Sequence, residues 1–150
     1  MDNQELIELL KFKFKNDIQN VYIRYKNRVM MQVKREALKK AATYLYKEQG
    51  LRFIIATAMD SGDKFEIVYH FSKDDTGLML NLQVFLSKEK PEIESLVPLF
   101  VAADWIEREM HELFGIRFLN HPNLVPLISD GNWQKETFPY AKKTVKQKQL

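Results

Sequence analysis

The sequence predicts an α+β domain of two layers, a mainly antiparallel sheet covered by helices on one face, and three observations carry that prediction. Residues 78–86 alternate without a break, with Leu78, Leu80, Leu82, Val84 and Leu86 on one side and Asn81 and Gln83 on the other, which makes a strand with one apolar face. Three strand-like runs, 51–59, 65–71 and 78–86, follow one another across connections too short to hold a crossover helix. On either side of them the apolar period lengthens to three and four residues, so flanking helices must cover the apolar face of the sheet.

In chain order, Leu6, Ile7, Leu9 and Leu10 form an amphipathic helical turn or two, followed by the lysine-rich stretch 11–15. From Val21 the register changes, because Val21, Ile23 and Tyr25 alternate with Tyr22 and Arg24. Asn27 is the expected turn, and Val29, Met31 and Val33 share one face of a second strand, which completes a hairpin. Between residues 34 and 49 the spacing of Leu38, Ala41, Ala42 and Leu45 is helical, and Gly50 is placed to end that helix in a left-handed conformation. Ser61-Gly62-Asp63 and residues 73–77 supply the turns between the three strands. After Pro91 a helix is predicted over 95–114, with Ser95 as its N-cap and Gly115 as its stop. Residues 116–119 read as a short extended piece, and His121-Pro122-Asn123 as a turn. The expected domain therefore covers 1–128, and residues 129–150, which end with four lysines in the last nine positions, are expected to be a mobile or partner-dependent tail.

Composition narrows the chemistry. With 150 residues, 45% apolar, and ten Phe, six Tyr and two Trp, the chain can bury the core of one domain. Cysteine is absent, which removes disulfides, thiolate catalysis, zinc knuckles and a cysteine-ligated iron–sulfur cluster. The first ten residues carry Asp2, Glu5 and Glu8, so no signal peptide is expected there. The most lipid-like stretch, 96–106, holds Asp104 and falls well short of the roughly 20 residues that span a bilayer. Any membrane contact is thus expected through a partner or at the surface. A net charge of +3 serves solubility without implying nucleic acid. A small basic nucleic-acid-binding domain is the alternative reading; it calls for a lysine-rich face interleaved with aromatics, whereas acids recur along this chain.

Residues 103–118, followed by His121-Pro122-Asn123-Leu124, combine high charge with an apolar background. On a helix Glu107 and His111 form a four-apart pair, and Arg108 lies with Glu112. The plain reading is a surface helix with ordinary ion pairs; the sharper one is a recognition surface with charges set for a partner. Trp105 and Phe114 are expected to be core anchors facing the sheet. A metal would find two ligands in Glu107 and His111, but a di-iron site needs Glu-x-x-His from two helices, and Arg108 stands three before His111. His121 is a turn residue or an interface contact, and His70 lies opposite Phe65, Ile67 and Tyr69 on its strand, toward solvent or a partner. No Gly-x-Ser-x-Gly elbow is present.

This segment resembles the signature of the complex I 30 kDa subunit family, the small hydrophilic subunit of NADH:quinone oxidoreductases and its counterparts in energy-converting nickel–iron hydrogenases. Ala103, Asp104, Trp105, Glu107, Arg108, Glu109, Glu112, Leu113, Phe114, Gly115, His121 and Pro122 carry the likeness. The run Phe65-Glu66-Ile67-Val68-Tyr69-His70 and Ser95 extend it over about 21–128. The resemblance implies a domain without catalytic, cofactor or metal residues. It would pack in the cytoplasmic arm, on the inner face of the membrane, against a large 49 kDa-like or nickel–iron hydrogenase large subunit and a neighbouring iron–sulfur subunit. Glu107, Arg108, Glu109, Glu112, His121 and Pro122 are the residues it points to for partner binding. Three departures stand out: Glu112 replaces a more usual Asp, Val125 and Pro126 replace a basic pair, and a longer C-terminal extension is expected to be abbreviated here.

Overall fold

The computed structural model describes residues 1–129 and 137–142 and realises the alternating run as the centre of a five-stranded sheet. The chain forms α1 (Asn3–Lys13), β1 (Ile18–Tyr25), β2 (Arg28–Val33), α2 (Leu38–Thr43), β3 (Arg52–Asp60), β4 (Lys64–Lys73), β5 (Leu78–Ser87), β6 (Glu92–Glu94), α3 (Ala103–Phe114) and β7 (Arg117–Leu119). The α+β class is as expected. Strand order is β1-β2-β5-β4-β3, so the predicted hairpin and the predicted three-strand meander are both present. They join through a parallel pairing of β2 with β5, in which Met31 lies opposite Leu82. Nothing in the local alternation announces that pairing, because strand order is fixed by packing between distant segments.

Two units can be distinguished, Met1–Ala56 with Val68–Val84, and Thr57–Ile67 with Phe85–Leu150. In the first, α1 begins with a capping box: the Asp2 carboxylate accepts from Glu5 N at 2.8 Å, and Glu5 accepts from Asp2 N at 3.0 Å. Leu6, Ile7 and Leu10 of α1, Leu38, Ala41, Ala42 and Leu45 from the α2 region, and Val29, Met31 and Val33 of β2 are all buried. Side chains of all three elements line one apolar void of about 10 Å³, too small to weaken the packing between helices and sheet. A 3₁₀ turn precedes α2 and a π-helical turn (Tyr44–Glu48) follows it. Gly50 ends the element at φ 68°, as its position predicts. His70 donates from Nδ1 to Asn81 at 2.7 Å, an intramolecular contact on the half-buried side of β4.

The second unit holds the parallel pair β6 and β7, with Ile93 opposite Phe118, and helix α3. The helix predicted over 95–114 starts at Ala103 instead. Residues before it form separate turns, closed by Phe100 N donating to Leu96 O at 2.7 Å and Ala103 N to Phe100 O at 3.1 Å. Pro98 supplies no amide to a continuous helix, and the Ser95 hydroxyl is engaged elsewhere. Gly115 ends α3 at φ 79°.

Candidate functional site

Helix α3 contains a charge where its apolar stripe should be continuous. Ala103, Glu107, Met110 and Phe114 follow helical spacing and are all buried; Glu107 is 0% exposed. Its carboxylate reaches back to the turn before the helix, where Leu96 N donates to Oε1 at 2.6 Å and the Ser95 hydroxyl donates to Oε2 at 2.6 Å. Ser95 Oγ in turn accepts from Val97 N at 3.1 Å. Ser95 is therefore a fastener between this turn and α3, not the cap of a helix it begins. Burial pushes the Glu107 carboxyl up to about 7, against the lowering effect of the Ser95 and Leu96 hydrogen bonds, and Asp104 and Glu94 nearby push it further.

Glu112, also buried, takes the opposite course. One oxygen accepts from Leu127 N at 2.9 Å and Ile128 N at 2.7 Å, the other from Ser129 N at 2.8 Å. Burial alone would raise this carboxyl, but the Ser129 hydroxyl and the three amides hold it at about 2. Arg108, one turn earlier, donates to Val125 O at 3.0 Å and Pro126 O at 2.9 Å. Those are the two positions where the expected basic pair is missing, and main-chain carbonyls there receive a cation from α3.

The expected ion-pair ladder of Glu107 with His111 and Arg108 with Glu112 is thus not what these side chains make. His111 Nδ1 donates to Ile116 O at 2.8 Å, across the end of the helix. Fixed main-chain donors and acceptors hold a charge more firmly than a flexible, solvated side chain of opposite sign. His121 Nδ1 accepts from Asn123 N at 3.0 Å, which places the imidazole proton on Nε2. That nitrogen lies 3.0 Å from Asp104 Oδ1 and 3.3 Å from Asp104 O. The buried ring ties the His-Pro turn to the first turn of α3, while Pro122 is exposed. Glu109 is half-buried.

Trp105 is 70% exposed, which corrects its assignment to the core; Phe114, 8% exposed, keeps it. The helix turns its buried stripe inward through residues 103, 107, 110 and 114, and position 105 falls off that stripe. Phe114 packs edge-on against Phe65 and Tyr140, with ring centroids 5.8 Å apart in each pair. Around it runs a short strap, residues 137–142, which sequence reasoning assigned to the tail. Tyr140 N donates to Leu113 O at 3.0 Å, and Phe138 sits so close that a Cβ on Gly115 would lie 2.7 Å from its ring. The half-buried Asp60 and Lys88 clasp the strap: Asp60 Oδ2 accepts from Lys88 Nζ at 2.7 Å and Lys142 N at 2.6 Å, and Lys88 Nζ donates to Lys142 O at 2.9 Å. Lys143, Lys146 and Lys148 of the predicted tail lie outside the described residues. Among the described residues no group of three or more His, Cys, Asp and Glu is placed to hold a metal, and no helix is long and apolar enough to cross a membrane.

Comparison with known proteins bears on the family and the fold. The family described as respiratory-chain NADH dehydrogenase, 30 kDa subunit, matches residues 31–149. The C subunit of the F420H2 dehydrogenase of Methanosarcina mazei is 35% identical over 133 residues, 85% of this chain and 83% of its own length. The C subunit of the NADH-quinone oxidoreductase of Citrifermentans bemidjiense is 29% identical over 136 residues, 88% of this chain and 84% of its own. Among solved structures, the trypsin-resistant fragment of Nqo5 superimposes with a TM-score of 0.69 at 23% identity, covering 83% of this chain and all of that one. A chain of the membrane-bound sulfane sulfur reductase, an archaeal respiratory membrane complex, superimposes with a TM-score of 0.73 at 17% identity over 92% of this chain and 82% of that one; both likenesses concern the fold. On the matched residues and the relatives they bring, the chain belongs to the respiratory-chain NADH dehydrogenase 30 kDa subunit family, and it is a subunit of complex I or of a related respiratory complex.

Proposed function

We propose that this chain is a non-catalytic docking subunit that presents α3 and the 121–129 loop to the large subunit of its complex, 49 kDa-like or of the nickel–iron hydrogenase type, beside an iron–sulfur neighbour. One observation carries the reading. The inward charges of α3, Glu107, Arg108 and Glu112, are engaged by main-chain groups of the 95–97 turn and the 125–129 loop. What they leave outward is a fixed surface bearing Trp105, Val125 and Ile128, all exposed. A large aromatic held out on a rigid helix is the residue type that dominates interface energetics. Glu109 and Pro122 then belong to the contact itself, and Glu107, Arg108, Glu112 and His121 set the shape of the surface behind it. The domain is residues 1–128, and the segment beyond it completes the structure or engages a neighbour. Electrons pass through the neighbours, since a chain without cysteine offers no thiolate for a cluster. The complex lies peripherally on the cytoplasmic face of the membrane.

Affinity purification from the native cell tests this. The chain should be recovered with a large subunit of hydrogenase or quinone-site type, and Trp105→Ala should lower that recovery about tenfold while the free chain melts as before. Recovery of the chain by itself, or a Trp105→Ala complex of normal yield, would remove the proposal.

A further inference from the structure

Over the whole chain acids and bases are nearly balanced, but residues 11–47 hold eleven Lys and Arg against two Asp and Glu, a local balance of +9. Part of this charge is gathered around the end of α1. Lys13 Nζ stands 4.6 Å from the centre of the Tyr44 ring, and Lys40 Nζ stands 5.5 Å from the Phe14 ring. Phe14 and Tyr44 meet edge-on at 5.6 Å, so the two cations rest on one aromatic pair and are held in place. Lys40 also lies 3.6 Å from Asp17, the single acid of the cluster, and Lys15 makes no ion pair among the described residues. Phe12, between Lys11 and Lys13, is 76% exposed.

We propose that this cluster, Phe12 with Lys13, Lys15 and Lys40, is a second docking surface, and that its occupant is a carboxylate-rich face of a neighbouring polypeptide in the complex. The inference rests on the docking reading above but on different residues. Charge complementarity argues for it: several cations with one local acid attract a surface of opposite sign, and fixing them in advance lowers the entropic cost of pairing. The same features argue against a bilayer. The apolar stripe of α1, Leu6, Ile7 and Leu10, is already buried in the core, so the helix keeps no apolar face to insert and offers one exposed aromatic.

A zero-length carbodiimide, which joins lysine amines to carboxylates already in contact, applied to the purified native complex and read by mass spectrometry is the test. Crosslinks from Lys13, Lys15 or Lys40 to Asp or Glu of another chain are expected, along with protection of these amines from acetylation relative to the free chain. Assembly with all three amines as reactive as in the free chain would overturn this proposal and leave the docking reading intact. Purification of the chain without any partner would overturn the docking reading, and this proposal with it. Protection that disappears on nuclease treatment, or on exchange of anionic for neutral lipid, would overturn this proposal alone, assigning the surface to nucleic acid or to membrane. The charge reversal Lys13→Glu with Lys15→Glu should reduce complex recovery about tenfold, with the loss growing as salt is lowered.

Discussion

Glu107 and Glu112 stand five residues apart on one helix, both buried, yet the first titrates near 7 and the second near 2. The difference lies in how deeply each is buried and in the two segments they hold. The 95–97 turn offers Glu107 one amide and one hydroxyl, and the charges of Asp104 and Glu94 repel its own. The 127–129 loop offers Glu112 three converging amides and a hydroxyl. Burial and donor supply together decide which carboxylate is content as an anion: at Glu107 burial outweighs its two donors, and at Glu112 the donors outweigh burial. One segment is therefore held by a group that carries a standing penalty, and the other by a group that is saturated.

Removing the saturated carboxylate should have the largest effect. Glu112→Ala leaves three amides without their acceptor, and the 127–129 loop should detach at a cost of about 3 kcal/mol, read as a lower midpoint in chemical denaturation. Its own pH signature follows from a lowered folded value: the stabilisation is present above the ordinary carboxylate range and is lost as pH falls toward about 2. A wild-type acid limb that Glu112→Ala leaves unchanged would show that the loop is held by something else.

Glu107 carries the reverse sign. Its folded value lies above the 4.5 of an unperturbed glutamate, so the folded state binds the proton more tightly. Stability is fully present below pH 4.5 and is lost as pH rises through about 7, by about 3 kcal/mol at most for a group this buried. Glu107→Gln keeps an acceptor for Leu96 N and cannot ionise, so it should flatten the profile between those limits and be the more stable form at pH 8. Denaturation curves at pH 5 and pH 8 check this; parallel losses in wild type and variant would refute it.

The difference between the two carboxylates also shows why one part of the site is legible in the sequence and another is not. Glu107 sits on the stripe 103, 107, 110, 114, and a charge at a core position is a signal available in the sequence alone. Counting four-apart charges passes over it, because that count assumes that helical charges face each other across solvent. The partners of Glu112 and Arg108 are main-chain groups 15 to 18 residues away, and no side-chain pattern encodes where a carbonyl or an amide will point. The same division holds for the fold. Strand β5, the hairpin and the stops at Gly50 and Gly115 follow from period and backbone chemistry, whereas the parallel joining of β2 to β5 and the late start of α3 depend on contacts between distant segments.

The smallest effect concerns a third contact at the end of the same helix, where backbone conformation replaces charge. Gly115 takes φ 79°, and a Cβ there would meet three atoms of the Phe138 ring at 2.7 to 2.9 Å. Gly115→Ala thus combines a left-handed strain of about 1 kcal/mol with displacement of a ring that is partly exposed and able to move, for about 2 kcal/mol in all. Gly115→Asn separates the two, because asparagine tolerates the left-handed conformation but still carries the Cβ. If the strap matters to α3, both variants should speed proteolytic cleavage after Tyr140, and adding Phe138→Ala should restore most of the stability lost by Gly115→Asn. Lack of rescue would place the whole cost in backbone strain and leave the strap a passenger on the helix it crosses.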